Sequence, residues 1–190
     1  MGLLLAGTSP SAPIEQIVAT VDKTIITQTE LMNETRVSLL LREGERGLSI
    51  ANGKLKSSLL TSTLDYLINQ HLISSHIRRL GKSDVPGDII DDRFKQLWGI
   101  FPSVLAFKAF GKRHGISSQT FRTILRREIM NELYVQERMR GWLSSARVGQ
   151  DQNEVAKKAL ERWVNDLRKS SVIKVIDTNG DLRVVRPFRE

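Results

Sequence analysis

The stretch IEQIVATVDKTIITQTEL, residues 14–31, holds three local signals. Apolar residues alternate over residues 17–21, DKT interrupts them, and a β-branched pair resumes the pattern, which predicts a short hairpin. Thr27 then precedes Glu30 by three residues, so the hydroxyl can accept the N–H of Glu30 while the carboxylate reaches back to the N–H of Thr27. This capping box predicts the start of a helix. Because an isolated hairpin is marginally stable, the strands need a partner elsewhere in the chain.

The C-terminal stretch SVIKVIDTNGDLRVVR, residues 171–186, supplies that partner. Residues 172–176 form a β-branched run, Asn179 and Gly180 are typical of a tight turn, and residues 182–185 make a return strand. We expect residues 172–176 to pair with residues 16–26, within one chain or between two copies. The predicted fold is therefore mainly α, a multi-helix domain closed by a small sheet of N- and C-terminal strands.

The sequence between these strands predicts helices separated by glycine and proline signals. The spacing of apolar residues and caps predicts a helix over 30–43, followed by a loop at Gly44, Gly47 and Gly53, and a second helix over 55–80 that Gly81 stops. A third helix opens near Ser83 or Asp84 with Pro86 in its first turn, and a fourth, apolar helix carries Phe101, Phe107 and Phe110 and is closed by Gly111. The fifth runs from Ser117 or Ser118 past Trp142, and the sixth from Asp151 to about Lys169.

Two of these helices carry further expectations. His71 lies within an apolar stripe, which favours a hydrogen-bonded core or seam histidine over a ligand. In the helix after Ser117, arginines alternate with glutamates, a pattern typical of a solvated, salt-bridged surface.

Composition excludes several classes of chemistry. The 190 residues contain no cysteine, so disulfides, thiolate metal sites and thiol catalysis are excluded. The sequence carries no phosphate loop, nucleophile elbow or HExxH motif. The aspartates at 84, 88, 91 and 92 suit a helix N-terminus better than a calcium loop. We therefore predict no catalytic residue, no metal and no cofactor.

The first residues, MGLLLAGTSPSAP, resemble the end of an export signal. They lack a basic region and a full apolar segment, so residues 1–13 are interpreted as a signal-like or disordered remnant. Thr8 stands where a bacterial lipoprotein would carry its lipidated cysteine. Residues 14–186 form the predicted domain, with a helical core over about 28–145 and closing elements over about 151–186.

Four stretches in the same order resemble the N-terminal chaperone domain of the SurA-type periplasmic foldases, which are relatives of PrsA and trigger factor. IVATVDKTIITQTEL is similar to the opening strand, turn and strand of that domain, and LLTSTLDYLINQHLISSHIRRLG to its long second helix. GISSQTFRTILRREIMNELYVQERMR is similar to its arginine-bearing helix, and ALERWVNDLRKSSVIKVID to its closing helix and strand.

The sequence departs from the family at one place. Many members insert one or two parvulin-type prolyl isomerase domains between the last two of these stretches, where this chain has only SSARVGQ. The resemblance therefore implies a periplasmic or otherwise extracytoplasmic holdase, without isomerase activity, that binds unfolded exported or outer-membrane polypeptides. It also leaves a homodimer by strand or helix exchange open.

Aromatic residues are the candidates for peptide binding, since a holdase needs apolar surface bordered by charge. The candidates are Trp98, Phe101, Phe107, Phe110 and Trp142. The balance of 29 Lys+Arg against 21 Asp+Glu, a net charge of +8, would also favour peripheral contact with an anionic envelope surface.

Two alternatives remain open. The charge suits a basic helical nucleic-acid-binding protein, but acidic residues are interleaved with the basic ones, so we expect no nucleic acid as partner. A structural subunit of envelope assembly is the third interpretation.

Overall fold

The computed structural model describes residues 15–144, 151–176 and 182–184. Within these ranges the elements are β1 (Ile17–Val21), β2 (Thr24–Thr27), α1 (Gln28–Asn52), α2 (Ser57–Arg79), α3 (Gly87–Trp98), α4 (Val104–His114), α5 (Ser118–Ser144), α6 (Gln152–Lys169), β3 (Ile173–Ile176) and β4 (Leu182–Val184). The N-terminal remnant, the linker at residues 145–150 and the turn at Asn179 and Gly180 lie outside the described residues.

The four strands form one antiparallel sheet in the order β2-β1-β3-β4. β1 pairs with β3 in a register that places Ala19 opposite Val175 and Val21 opposite Ile173. The predicted union of the first and last strands is therefore confirmed, and it occurs within one chain. Asp22, in the turn between β1 and β2, joins this turn to the residue before β3. Its N–H donates to the Val172 carbonyl at 2.8 Å, and its carboxylate accepts the Val172 N–H at 2.8 Å. Its φ of 53° lies in the left-handed region.

The first helix differs from its prediction at both ends. The Thr27 hydroxyl accepts the N–H of Glu30 at 3.1 Å, as expected, but the Glu30 carboxylate turns to the interior instead of completing the capping box. Helical structure also continues to Asn52, so the predicted loop at residues 44–53 is wrong.

The glycines in this region bend the helix instead of ending it. Gly44 has φ 56° and ψ −128°, which breaks the helix into two segments that α1 joins across a kink. The second segment packs closely against the first, because a Cβ on Gly47 would lie 2.0 Å from the Leu39 carbonyl oxygen. Arg36 donates from Nε to the Ala51 carbonyl at 3.2 Å and fastens the end of the second segment.

Most other helix boundaries follow their caps. α5 and α6 begin where predicted, with the Ser117 hydroxyl accepting the Thr120 N–H at 3.0 Å and Asp151 accepting the Asn153 N–H at 2.9 Å. α3 begins only after Pro86, which occupies the cap position. The prediction that α4 closes at Gly111 is wrong: the helix continues to His114, and Gly115, with a φ of 68°, is its left-handed C-cap.

The helices and the sheet share one core, to which the sheet contributes Ala19, Val21, Ile26 and Ile173. α2 and α5 are the central pair, since each contacts α6 and other helices. Within the described ranges, none of the helices combines the length and apolar content that a bilayer crossing requires.

Candidate functional site

A cleft of about 420 Å³ opens where α2, α3, α5 and α6 meet. Its apolar lining comes from Ile73, Val135, Leu160 and Val164. Its polar lining comes from Tyr66, Asn69, Gln70, Arg93, Glu128, Asn131 and Glu132. A second depression, about 480 Å³, shares Asn69, Leu160 and Val164 with the first and adds Asp65, Glu161, Asn165 and Arg168. The two depressions therefore form one open trough, called here the α2–α6 trough.

The floor of the trough is held by a buried amide. Asn131 on α5 accepts a hydrogen bond from the Ser74 hydroxyl at 2.9 Å and donates to the Gln70 carbonyl at 2.9 Å. Both partners lie on α2, so this one side chain fixes the spacing of the two central helices. Asn131 and Ser74 are fully buried, and their mutual pairing removes the cost of burying polar groups.

One wall of the trough carries a carboxylate with an unused oxygen. The Tyr66 hydroxyl donates to Glu128 Oε1 at 3.4 Å, whereas Glu128 Oε2 is buried and has no hydrogen-bond partner among the described residues. Burial raises the pKa of Glu128, and this outweighs the lowering by Arg42 and Arg93. Burial, followed by the charge of Glu128, raises the pKa of Tyr66 to about 12.

Behind this wall lies a buried ionic cluster, defined as Glu30, Glu34, His71 and Arg127. Arg127 donates to Glu30 Oε1 at 2.8 Å and to Glu34 Oε2 at 2.6 Å. His71 Nε2 lies 3.0 Å from Glu30 Oε1, so His71 is the buried, hydrogen-bonded histidine that its stripe indicates. Arg127 is an exception to the solvated, salt-bridged surface expected for the arginines of α5, because its side chain is largely buried.

The pKa values of the two carboxylates in the ionic cluster are shifted in opposite directions. Desolvation raises the pKa of Glu34 from 4.5 to about 7 even though Arg127 opposes it. Glu30 is also desolvated, but its hydrogen bond with His71 and the charge of Arg127 lower its pKa below 4.5. Of the two carboxylates, Glu34 is therefore the one whose pKa lies near neutral pH.

We expect Glu34 to lower the free energy of unfolding as the pH rises from about 5 to 8. Folded Glu34 keeps its proton up to about pH 7 while the unfolded side chain loses it near 4.5, so the folded state binds more protons across that window. The effect of Glu34 reaches about 3 kcal/mol at most. Glu30, with a lowered pKa, acts oppositely and only below pH 4.5.

Urea unfolding at several pH values measures this dependence. The Glu34→Gln variant should show a flatter profile between pH 5 and 8, whereas Glu45→Gln, at an exposed position of α1, should keep the wild-type slope. Equal slopes for wild type and Glu34→Gln between pH 5 and 8 would contradict the assignment.

The aromatic residues predicted to bind peptide occupy separate places. Phe101, Phe107 and Phe110 are buried in one cluster with Phe94 and Phe121, with ring centroids 5.1–6.5 Å apart. These rings pack on one another and offer no surface to a ligand in this conformation. Trp98, at the end of α3, keeps 40% of its surface exposed, but it does not line the trough.

Trp142 belongs to a second aromatic cluster at the end of α5. Its ring lies 6.3 Å from that of Trp163, and Tyr134 and His76 also contact Trp163. The Arg138 guanidinium lies 4.7 Å from the centre of the Trp163 ring and 5.2 Å from that of Trp142. Trp142 is half-buried, so it joins α5 to α6 and only part of it faces outward.

None of the five aromatic candidates lines the trough. The available signal was a polar stripe on α2, where Tyr66, Gln70 and Ser74 recur every four residues. Within the described part of the chain, no group of His, Asp and Glu side chains is arranged to hold a metal ion.

Comparison of the chain with protein-family models found no match, and comparison with curated proteins found none. The likeness to the SurA-type chaperone domain therefore stays a prediction from the motifs.

Proposed function

We propose that the protein is an extracytoplasmic holdase that binds unfolded exported or outer-membrane polypeptides in the α2–α6 trough, without isomerase activity. The observation that carries this proposal is the trough itself. It is open, it runs between long helices, and it combines aliphatic walls with amide and charged groups. Such a mixed lining suits an extended chain, whose side chains are partly apolar and whose backbone needs hydrogen-bond partners.

The arrangement of the termini supports the same proposal. In the SurA-type domain that the sequence resembles, terminal strands close a helical chaperone body. Here β1 pairs with β3, and these strands adjoin the first and last helices in the chain. The amide side chains at the rim, Asn69 and Asn165, lie where they can approach a client backbone.

The distribution of charge favours polypeptide over nucleic acid. Arg122 pairs with Asp91, Arg127 with Glu30 and Glu34, and Arg93 with Glu132 at 3.2 Å. These arginines are thus engaged with carboxylates, whereas a phosphate-binding surface needs an uninterrupted group of cations.

Suppression of client aggregation tests the proposal. We expect the protein to slow aggregation of an unfolded outer-membrane β-barrel protein, with affinity of roughly micromolar, because a holdase must release its client. Leu160→Gln should weaken this binding about tenfold by placing an amide on the apolar wall, since burying an unpaired polar group costs about 1–3 kcal/mol. Leu133→Gln, at an exposed position of α5 outside the trough, is the matched control and should leave binding unchanged.

Salt separates this proposal from its rival. Binding carried by apolar burial should change little with moderate salt, whereas binding to a mixed-sequence DNA duplex should weaken steeply. Tight duplex binding with no effect on client aggregation would favour the nucleic-acid alternative. Acceleration of a proline-limited refolding reaction would contradict the absence of isomerase activity.

A further inference from the structure

We propose that the α2–α6 trough selects client segments in which a lysine or arginine lies among apolar residues, with the cation bonded to Glu128. This inference rests on the proposed holdase function and names the chemical class of segment that the trough takes.

The first support is the charge of the lining. Four carboxylates line the trough, Glu128, Glu132, Asp65 and Glu161, against the two guanidinium groups of Arg93 and Arg168. Glu132 pairs with Arg93, and Asp65 pairs with Arg168. Glu128 and Glu161 are left without an ion pair among the described residues, so the trough is locally acidic on a protein whose net charge is +8.

The second support is the unused oxygen of Glu128. Oε2 is buried and accepts no hydrogen bond from the residues that the structure describes, although a buried acceptor left unpaired is costly. The nearby guanidinium groups act on Glu128 through their charge without bonding to it: that of Arg42 lies 4.7 Å from the centre of the Tyr66 ring, and Arg93 donates to Glu132. Because Glu128 lines the cleft and only its Oε1 is bonded, by Tyr66, a client cation that enters the trough can form a charge-assisted bond with this carboxylate.

The third support is the apolar lining of the same cleft. Ile73, Val135, Leu160 and Val164 all line it together with Glu128. The methylene groups of lysine or arginine can lie along apolar surface while the cation reaches a carboxylate. The trough therefore accommodates both parts of a basic side chain, and the apolar neighbours of that residue in the client.

Three labelled peptides test the inference on the full chain. They share an apolar sequence and differ at one central residue, which is lysine, norleucine or glutamate. We expect the lysine peptide to bind wild type about tenfold more tightly than the norleucine peptide, and the glutamate peptide to bind most weakly. Glu128→Gln should remove the lysine preference. Glu137→Gln, which lies on α5 outside the trough and pairs with Lys82, should retain it.

A second variant keeps the test decisive if Glu128→Gln fails to fold. Leu160→Lys introduces a cation into the trough from α6 and should also abolish the lysine preference. Equal binding of the lysine and norleucine peptides to wild type would overturn the inference while leaving the holdase intact. A lysine preference that persists in Glu128→Gln would overturn the assignment to Glu128. Failure to bind any peptide or unfolded client would instead contradict the proposed function.

Discussion

Replacing Arg127 with methionine should lower the free energy of unfolding by about 3–5 kcal/mol at pH 8. Arg127 is the cation shared by Glu30 and Glu34, and Glu34 is buried almost completely. Without Arg127 two carboxylates from neighbouring turns of α1 would face each other in the core, where the loss of one partner leaves charge uncompensated. Methionine has a similar length, so the effect reports mainly the lost charge.

The loss should depend on pH in a defined direction. Because the pKa of Glu34 is already about 7, lowering the pH to 6 protonates it and removes part of the uncompensated charge. Denaturant unfolding of Arg127→Met should therefore show a smaller loss at pH 6 than at pH 8. Arg126→Met, at the adjacent exposed position, is the control and should cost little. Equal, small losses for both variants would show that the ionic cluster does not hold α1 against α5.

Replacing Lys174 with proline should cost about 3 kcal/mol or more. β3 lies between β1 and β4, and Lys174 is opposite Thr20 on one side and Val184 on the other. A proline there removes a backbone donor from an interior strand, where its ring has no room. Ala19 and Val21 on β1 and Ile173 on β3 are buried, so loosening β3 exposes part of the core.

Thermal unfolding followed by circular dichroism measures this effect. Lys174→Thr keeps the backbone donor and favours a strand, so this control should unfold close to wild type. If Lys174→Pro unfolded at the wild-type temperature, the pairing of the terminal strands would contribute little to the stability of the fold.

The sheet was predictable because its signals are local. The β-branched runs at both ends and the capping residues Thr27, Ser117 and Asp151 act on their own neighbours, so their pattern survives in the folded chain. The loop predicted after residue 43 failed for a different reason. Gly44 does interrupt the helix, but helical structure resumes beyond it, where Gly47 lies close to the Leu39 carbonyl, and the spacing of the glycines does not encode that contact.

The candidate site was harder to predict because its chemistry is assembled between helices. Glu30 has the spacing of a capping residue, yet Arg127, 97 residues later, binds its carboxylate. The aromatic residues that suggested a peptide site serve mostly as core, as with Phe107 packed on Phe121. The position of a residue within an apolar stripe of a helix indicates that it is buried. The stripe does not indicate which other helices pack against it, because that depends on the whole fold.

Site-specific photocrosslinking in the envelope compartment tests the central proposal most directly. A photoreactive residue at position 160 lies in the trough, and one at position 157 lies on the same helix, exposed and outside the trough lining. The account predicts crosslinks from position 160 to unfolded exported proteins, few or none from position 157, and none from either position to the same clients once folded. Equal crosslinking from both positions, or none from position 160, would contradict it.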